Sequence, residues 1–316
     1  MDPASDRAPD EVLTPLLAQI DVFQGRMLQV VELGGGLTNH NYRVRTDDGG
    51  DYVVRVSDNE SGGLLAIDRA RERVNTERAW QAGVGAPVIQ ALPEVDVLVV
   101  GFLQGRTLEA ADLRDPAVIP RVAAAVRTLH AGPAFEGSFD MRQLRRRYLR
   151  IVRERGFRLP DDYLALEPLV ERLEDAMRPG DEPLVPCNND LLAANFIDDG
   201  KRIWLIDYEY SGMNEASFEL GNIASESGLD DGQTEALVTA YWGRRSAVKL
   251  ARAQAWSLLA RYGWTLWASI QDGASTIDFD FWGWGMEKYD SARAELIGPR
   301  LDALLDTLTG GLEGEG

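Results

Sequence analysis

The sequence predicts an α+β chain of two lobes, a small one built on an antiparallel sheet with one helix and a larger, mainly helical one. Three observations lead there. Up to about residue 102, short β-rich segments alternate with turn signals. One long helical pattern interrupts that series. After Phe102-Leu103-Gln104-Gly105 the texture changes to long helical patterns that fill most of the remainder. The lobes are accordingly placed at residues 1–103 and 104–316.

In the first lobe, strands are expected over 27–33, 40–45, 52–57, 88–92 and 95–102. Turns are marked by Asp47-Asp48-Gly49-Gly50 and by Pro93-Glu94. The helical pattern runs from about 64 to 82 and is closed by Gly83. The order is three strands, helix, two strands. In the second lobe, helices are expected over 116–130, 141–155 and 161–177. Two short strands, 194–197 and 202–206, flank the turn Asp198-Asp199-Gly200-Lys201, and helices fill the rest. Residues 310–316 read as a disordered tail.

The 316 residues carry a net charge of -18 and 45% apolar residues. That charge repels phosphate backbones and anionic lipid, which argues against nucleic-acid and membrane-surface roles. It would favour a cationic ligand, although an acidic surface kept for solubility explains it equally well. The longest apolar run, Val95 to Leu103, is broken by Asp96 and Gly101 and is too short to span a bilayer. The opening MDPASDRAPDEVL lacks a signal-peptide pattern, and a single cysteine, Cys187, allows no internal disulfide. A cytoplasmic location is expected.

Between the first two strands lies Gly34-Gly35-Gly36-Leu37-Thr38-Asn39. A glycine-rich strand-loop-strand lets backbone N–H groups approach phosphates closely; a plain hairpin turn is the alternative. Arg55 stands inside the apolar strand Val53-Val54-Arg55-Val56, where a charge needs a partner. Either it points to water from an edge strand, or it lies over nucleotide phosphates with a carboxylate from the next helix, for which Glu72 and Glu77 are the candidates. Further on, Asp190 is followed by Asn195 and then by Asp207 at the end of a hairpin. In phosphoryl transfer the first aspartate handles the attacking hydroxyl, while the asparagine and second aspartate hold Mg²⁺ against phosphate oxygens. Helix capping and a strand-end turn would explain each residue singly, but not their order.

The stretch from Pro186 to Glu226 resembles the choline and ethanolamine kinase signature. It supplies Asp190, Asn195, Ile206-Asp207-Tyr208-Glu209-Tyr210, and Phe218-Glu219-Leu220-Gly221-Asn222 followed by Glu226. The family often carries arginine on the third strand, as Arg55 here, and its helix glutamate aligns with Glu72. The resemblance, from about Val30 to Tyr289, implies a protein-kinase-like fold. It also implies ATP- and Mg²⁺-dependent phosphorylation of a small cationic alcohol, choline first. Gly35, Gly36, Leu37, Thr38, Asn39, Arg55 and Glu72 would then serve the nucleotide, and Asn195 and Asp207 the metal. Trp264, Trp267 and Trp284 would wall the trimethylammonium, with Glu209, Glu226 and Gln271 beside the acceptor. Two departures stand out: Asn188 replaces the usual histidine, and Glu219 the usual aspartate.

Rival readings are a kinase of the same superfamily acting on ethanolamine, another methylated amine alcohol, thiamine or an aminoglycoside, and a non-catalytic nucleotide-binding regulator. The aromatic trio discriminates among the former, and ATP turnover excludes the latter. His130 reads as a helix C-terminal cap and His40 as a strand residue; with two histidines and one cysteine, zinc or Cys/His chemistry has little basis. The sequence leaves the oligomeric state open, a homodimer among the options.

Overall fold

The computed structural model describes residues 13–34, 39–57, 64–177, 182–275 and 277–310. Its first sheet has five antiparallel strands, β1 Leu28–Leu33, β2 Asn39–Thr46, β3 Asp51–Ser57, β4 Val88–Leu92 and β5 Val97–Gly101, in the order β1-β2-β3-β5-β4. The β2–β3 hairpin closes through Gly49 at φ 93° and the bond from Gly49 N–H to Thr46 O at 3.0 Å. Alternation along β3 decides what faces where: Val54 enters a small core with Val44, Val97, Val99 and the short helix α1 (Leu13–Leu17), so Arg55 is directed to the other face.

The helix expected over 64–82 is interrupted. Ala66 adopts left-handed φ of 63°, and Asp68 starts a new helix, α2 (Arg69–Gln81), by accepting the Arg71 N–H at 3.0 Å. Asp68 is a stronger start signal than the apolar pattern before it. The α2 helix does not pack into the small-lobe core. Its Ala79, with Val84 just beyond, belongs to a core shared with Phe135, Leu205 and Tyr208. Asn75 bonds Glu136 and Ser211, and Arg78 donates to Ala134 O at 2.7 Å.

A short strand β6 (Arg106–Thr107) follows the linker. The larger lobe then runs through α3 (Ala110–Leu113), α4 (Ile119–His130), α5 (Met141–Arg155) and α6 (Glu167–Ala176). Next come β7 (Leu184–Cys187), β8 (Phe196–Asp198), β9 (Ile203–Leu205) and β10 (Gly212–Glu215). Helices α7 (Ala216–Ser227), α8 (Asp231–Trp242), α9 (Ala247–Ala274), α10 (Phe281–Leu296) and α11 (Pro299–Gly310) complete the described chain. The segment expected as one helix over 161–177 starts as a 3₁₀ turn, Tyr163–Leu166, because Pro168 opens α6 rather than continuing a helix. The strand expected over 194–197 is a 3₁₀ turn at Ala193–Asn195 followed by β8. Strands β6 and β10, too short to show a period, have no counterpart in the sequence reading. Gly310 ends α11 rather than opening a tail, and 311–316 lie outside the described residues.

Helix α9, 28 residues long, is the axis of the larger lobe. From Ala255 to Gln271 it is buried all round except at Arg261. Gly221 lets α7 lie against it, since a Cβ there would run into the Ala253 carbonyl oxygen. Glu219, Asn222 and Glu226 are spaced for one helical face, and of these Glu219 meets the loop after β7. No helix among the described residues is long and apolar enough to cross a membrane.

Candidate active site

Strand β7 ends at Cys187 and delivers the segment Asn188-Asn189-Asp190, which three side chains fix. Glu219, fully buried, accepts the backbone N–H of Asn188 at 2.8 Å and that of Asn189 at 2.7 Å. Asn188 donates its amide to the carbonyls of Ile206 at 3.1 Å and Asp207 at 2.8 Å, and its side-chain oxygen accepts the N–H of Asp190 at 3.0 Å. Asn189 takes the left-handed conformation, φ 68°, which asparagine tolerates better than most residues. Its amide bonds the Cys187 and Tyr210 carbonyls and accepts from Asn214. The residues that depart from the family pattern are therefore the ones that brace the loop, by amide and carboxylate hydrogen bonds.

Asn188→Ala is accordingly expected to lose about 2 kcal/mol of stability, because two carbonyls and one N–H lose their partner. Its kcat should fall with it, since the N–H of Asp190 is released. Melting temperature and steady-state rates check this; wild-type values for both would mean the loop is held without the amide.

The β8–β9 hairpin returns the chain to the same loop. Asn195 donates its side-chain amide to the Asp190 carbonyl at 2.7 Å, which leaves its amide oxygen as the atom able to ligate a metal. Asp207, also left-handed at φ 62°, accepts a hydrogen bond from Arg55 at 2.8 Å. Arg55 pairs in addition with Glu72, 2% exposed on α2. Arg69 extends the network, reaching Glu72 at 2.9 Å and Glu209 at 3.3 Å. Asn39 donates to Glu209 at 3.0 Å. Of the expected phosphate-loop residues, Gly35, Gly36, Leu37 and Thr38 lie outside the described residues. Glu209, expected beside the acceptor, is buried and tied to Asn39 and Arg69 of the small-lobe side.

Four carboxylates thus lie in one field. Burial, then the charge of Asp207, with Glu209 and Glu226 adding to it, push the Asp190 carboxyl well above the usual carboxylate range, while Lys288 opposes them. Burial and Asp207 also raise Glu209, against Arg55 and Arg69. A cluster of oxygen donors with this surplus of negative charge suits a hard cation such as Mg²⁺, which Asn195 and Asp207 could hold. Two surface clefts of about 790 and 480 Å³, one beside Ala124 and Thr128 and the other beside Gln104 and Trp204, touch none of these groups. The site is located by its charges.

The acceptor residues split. Trp264, 4% exposed, is core: its indole N–H bonds Asn222 at 3.0 Å and its ring lies edge-on to Tyr210. Trp267, 7% exposed and in the same core, donates to the Tyr210 hydroxyl at 3.0 Å and meets the partly buried Trp284 edge to face at 5.4 Å between ring centroids. Gln271 is buried on the next turn of α9. Glu226 is engaged by Lys288, whose ammonium also lies 4.1 Å from the centroid of the Trp284 ring. Arg69 and Lys288 escaped the sequence reading. The signals were there: Arg69 stands three residues before Glu72, and Lys288 four after Trp284, both contact spacings on a helix.

His130 does end α4, but its Nδ1 lies 2.7 Å from the Tyr241 hydroxyl rather than on the helix carbonyls. Its Nε2 approaches Cys187 Sγ at 3.5 Å and Glu219 at 3.7 Å. Because both Glu219 oxygens already accept backbone N–H groups, this buried trio packs behind the loop rather than offering free ligands.

A strand arginine ion-paired to a helix glutamate, facing an Asp-x4-Asn loop and a second aspartate after a hairpin, defines an ATP-dependent phosphotransferase of the protein-kinase-like class. The choline/ethanolamine kinase family profile matches residues 30–240. The chain belongs to the choline/ethanolamine kinase family, and so is an ATP-dependent kinase with an alcohol group as acceptor. It is 26% identical over 326 residues to "Probable choline kinase 2" of Arabidopsis thaliana, covering 90% of this chain and 91% of that one. It is also 26% identical over 307 residues to ethanolamine kinase 2 of Homo sapiens, covering 86% and 78%. A choline/ethanolamine kinase family protein from Mesorhizobium loti superposes with a TM-score of 0.82 at 28% identity, covering 94% of this chain and 98% of that one.

Proposed function

We propose that the chain transfers the γ-phosphoryl group of ATP to the hydroxyl of choline in preference to ethanolamine. The observation that carries the preference is the Trp267–Trp284 pair beside Glu226, which also acts electrostatically on Asp190. Ring faces hold a trimethylammonium without hydrogen bonds, whereas a primary ammonium draws more on carboxylates.

In this reading Asp190 orients the acceptor hydroxyl and takes its proton as the oxygen attacks phosphorus in line. Mg²⁺, when bound by Asn195 and Asp207, supplies neutralisation of the phosphate charge. Arg55, fixed by Glu72, would serve the nucleotide phosphates together with Gly35, Gly36, Leu37 and Thr38, whose part here rests on the glycine-rich sequence alone. Asn39 and Arg69 hold Glu209 in place. Catalysis comes from positioning and preorganised charge, with no covalent enzyme intermediate.

ATP consumption with choline, ethanolamine, its mono- and dimethyl derivatives, carnitine and aminoglycosides tests the assignment. The highest kcat/KM is expected for choline, and a higher value for ethanolamine would overturn the preference. Trp284→Ala should remove about 1–2 kcal/mol of cation–π attraction, a rise of roughly five- to thirtyfold in KM for choline and less for ethanolamine. Equal effects on both amines would mean the ring does not face the ammonium.

A further inference from the structure

The corner formed by Trp284, Glu226 and Lys288 is a complete site for an alkylammonium, and the chain fills it with its own. The Lys288 Nζ lies 2.7 and 2.8 Å from the two Glu226 oxygens and 4.1 Å from the Trp284 ring centroid. The paired side chains are only 11% and 9% exposed. Trp267 meets the same ring edge to face. Trp267 joins this corner to Tyr210, whose carbonyl Asn189 bonds beside Asp190, and the charges of Glu226 and Lys288 act on the Asp190 carboxyl, so the corner belongs to the acceptor side of the site.

A lysine ammonium and the headgroup of an amine alcohol each carry one positive charge, though a trimethylammonium lacks the lysine's N–H donors, and two like charges cannot share one carboxylate and one ring face at these distances. The four-carbon stem of a lysine is flexible enough to carry its charge away toward water. Resting on the function proposed above, we propose that Lys288 is a tethered competitor for the acceptor's ammonium. It holds the place between Glu226 and Trp284 while the acceptor is absent and is displaced when the acceptor binds. While in place it keeps Glu226 from being buried without a counter-charge. The acceptor's apparent affinity is reduced by the fraction of molecules in which the lysine is seated. Lys288 is thereby a specificity-determining residue: a neutral alcohol has nothing with which to displace it.

The test uses the full chain carrying Lys288→Met or Lys288→Gln, the latter keeping a donor toward Glu226 without the charge. If the lysine is seated in most unliganded molecules, its removal should lower KM for choline about tenfold, with the effect in KM rather than kcat. Tetramethylammonium, titrated against tryptophan fluorescence, should bind more tightly by a similar factor. If wild type phosphorylates choline but KM stays level or rises in both variants, Lys288 is a structural tie between α7 and α10 and the proposal fails alone. Loss of folding in both variants likewise makes Lys288 a structural tie and overturns the proposal. If no amine alcohol is phosphorylated by any of the three proteins while tetramethylammonium still binds the variants more tightly, the exchange stands and the assigned reaction fails.

Discussion

Asp190→Asn is expected to lose at least about a hundredfold in kcat, the usual worth of a positioned general base, while melting at a higher temperature than wild type. The two effects have one cause. The carboxyl is held well above the usual range by burial and by Asp207, so in the metal-free folded chain its ionised form is disfavoured, whereas a cation on Asp207 would favour it. An acid whose folded pKa is raised costs stability at every pH above its unfolded value, and an amide removes that cost. The gain should be present at neutral pH in metal-free buffer and shrink as the pH is lowered toward about 4, where the unfolded carboxyl also protonates. The loop itself survives the change, because its bonds at this position run through the backbone N–H and carbonyl of Asp190. Rates and melting curves on one preparation decide the matter. A slow and destabilised variant would assign Asp190 to the loop's architecture, and one keeping more than about a tenth of wild-type turnover would remove it from the reaction.

Glu219→Ala should cost about 4 kcal/mol, and Tm should fall on the order of 10 °C. The substitution strands two buried N–H groups, those of Asn188 and Asn189, in a place where water cannot replace the carboxylate. It also frees Asn189 from the left-handed conformation that aims the next residue. A loss of kcat larger than the loss of folded fraction is expected at a temperature where the variant is still native. Glu219→Gln, which keeps one acceptor oxygen, should recover part of both. Urea unfolding gives the stability and steady-state assays the rate; an alanine variant within about 1 kcal/mol of wild type would mean the N–H groups find other partners.

Much of this site could be read in the sequence because its chemistry is ordered by local spacing. Asp190, Asn195 and Asp207 lie on one loop and the hairpin that follows it, and the strand alternation that buries Val54 turns Arg55 to the opposite face. What could not be read depends on pairings far apart in the chain. Arg69 meets Glu209, and Asn75 meets Ser211, across well over a hundred residues. No local pattern separates Trp264, sealed against Asn222, from Trp284, whose face carries a cation; both are tryptophans at helical spacing. The engagement of Glu226 by Lys288 joins two helices that the sequence places more than sixty residues apart. The break at Ala66 has no glycine or proline to mark it, and Asp68, a capping residue, is its one local signal.

The way α2 is anchored alters how the molecule can breathe. By chain order this helix belongs with the sheet, yet Asn75, Arg78 and Ala79 bind it to the larger lobe, and the sheet keeps a separate core of its own. The backbone bond from Leu205 N–H to Val84 O, 2.8 Å, fixes the far end of the segment as well. A movement of the sheet against the larger lobe would therefore leave this helix behind. The ion pairs of Arg55 with Glu72 and Asp207 are the ones such a motion would shear, because they join the sheet to the parts that stay with the larger lobe.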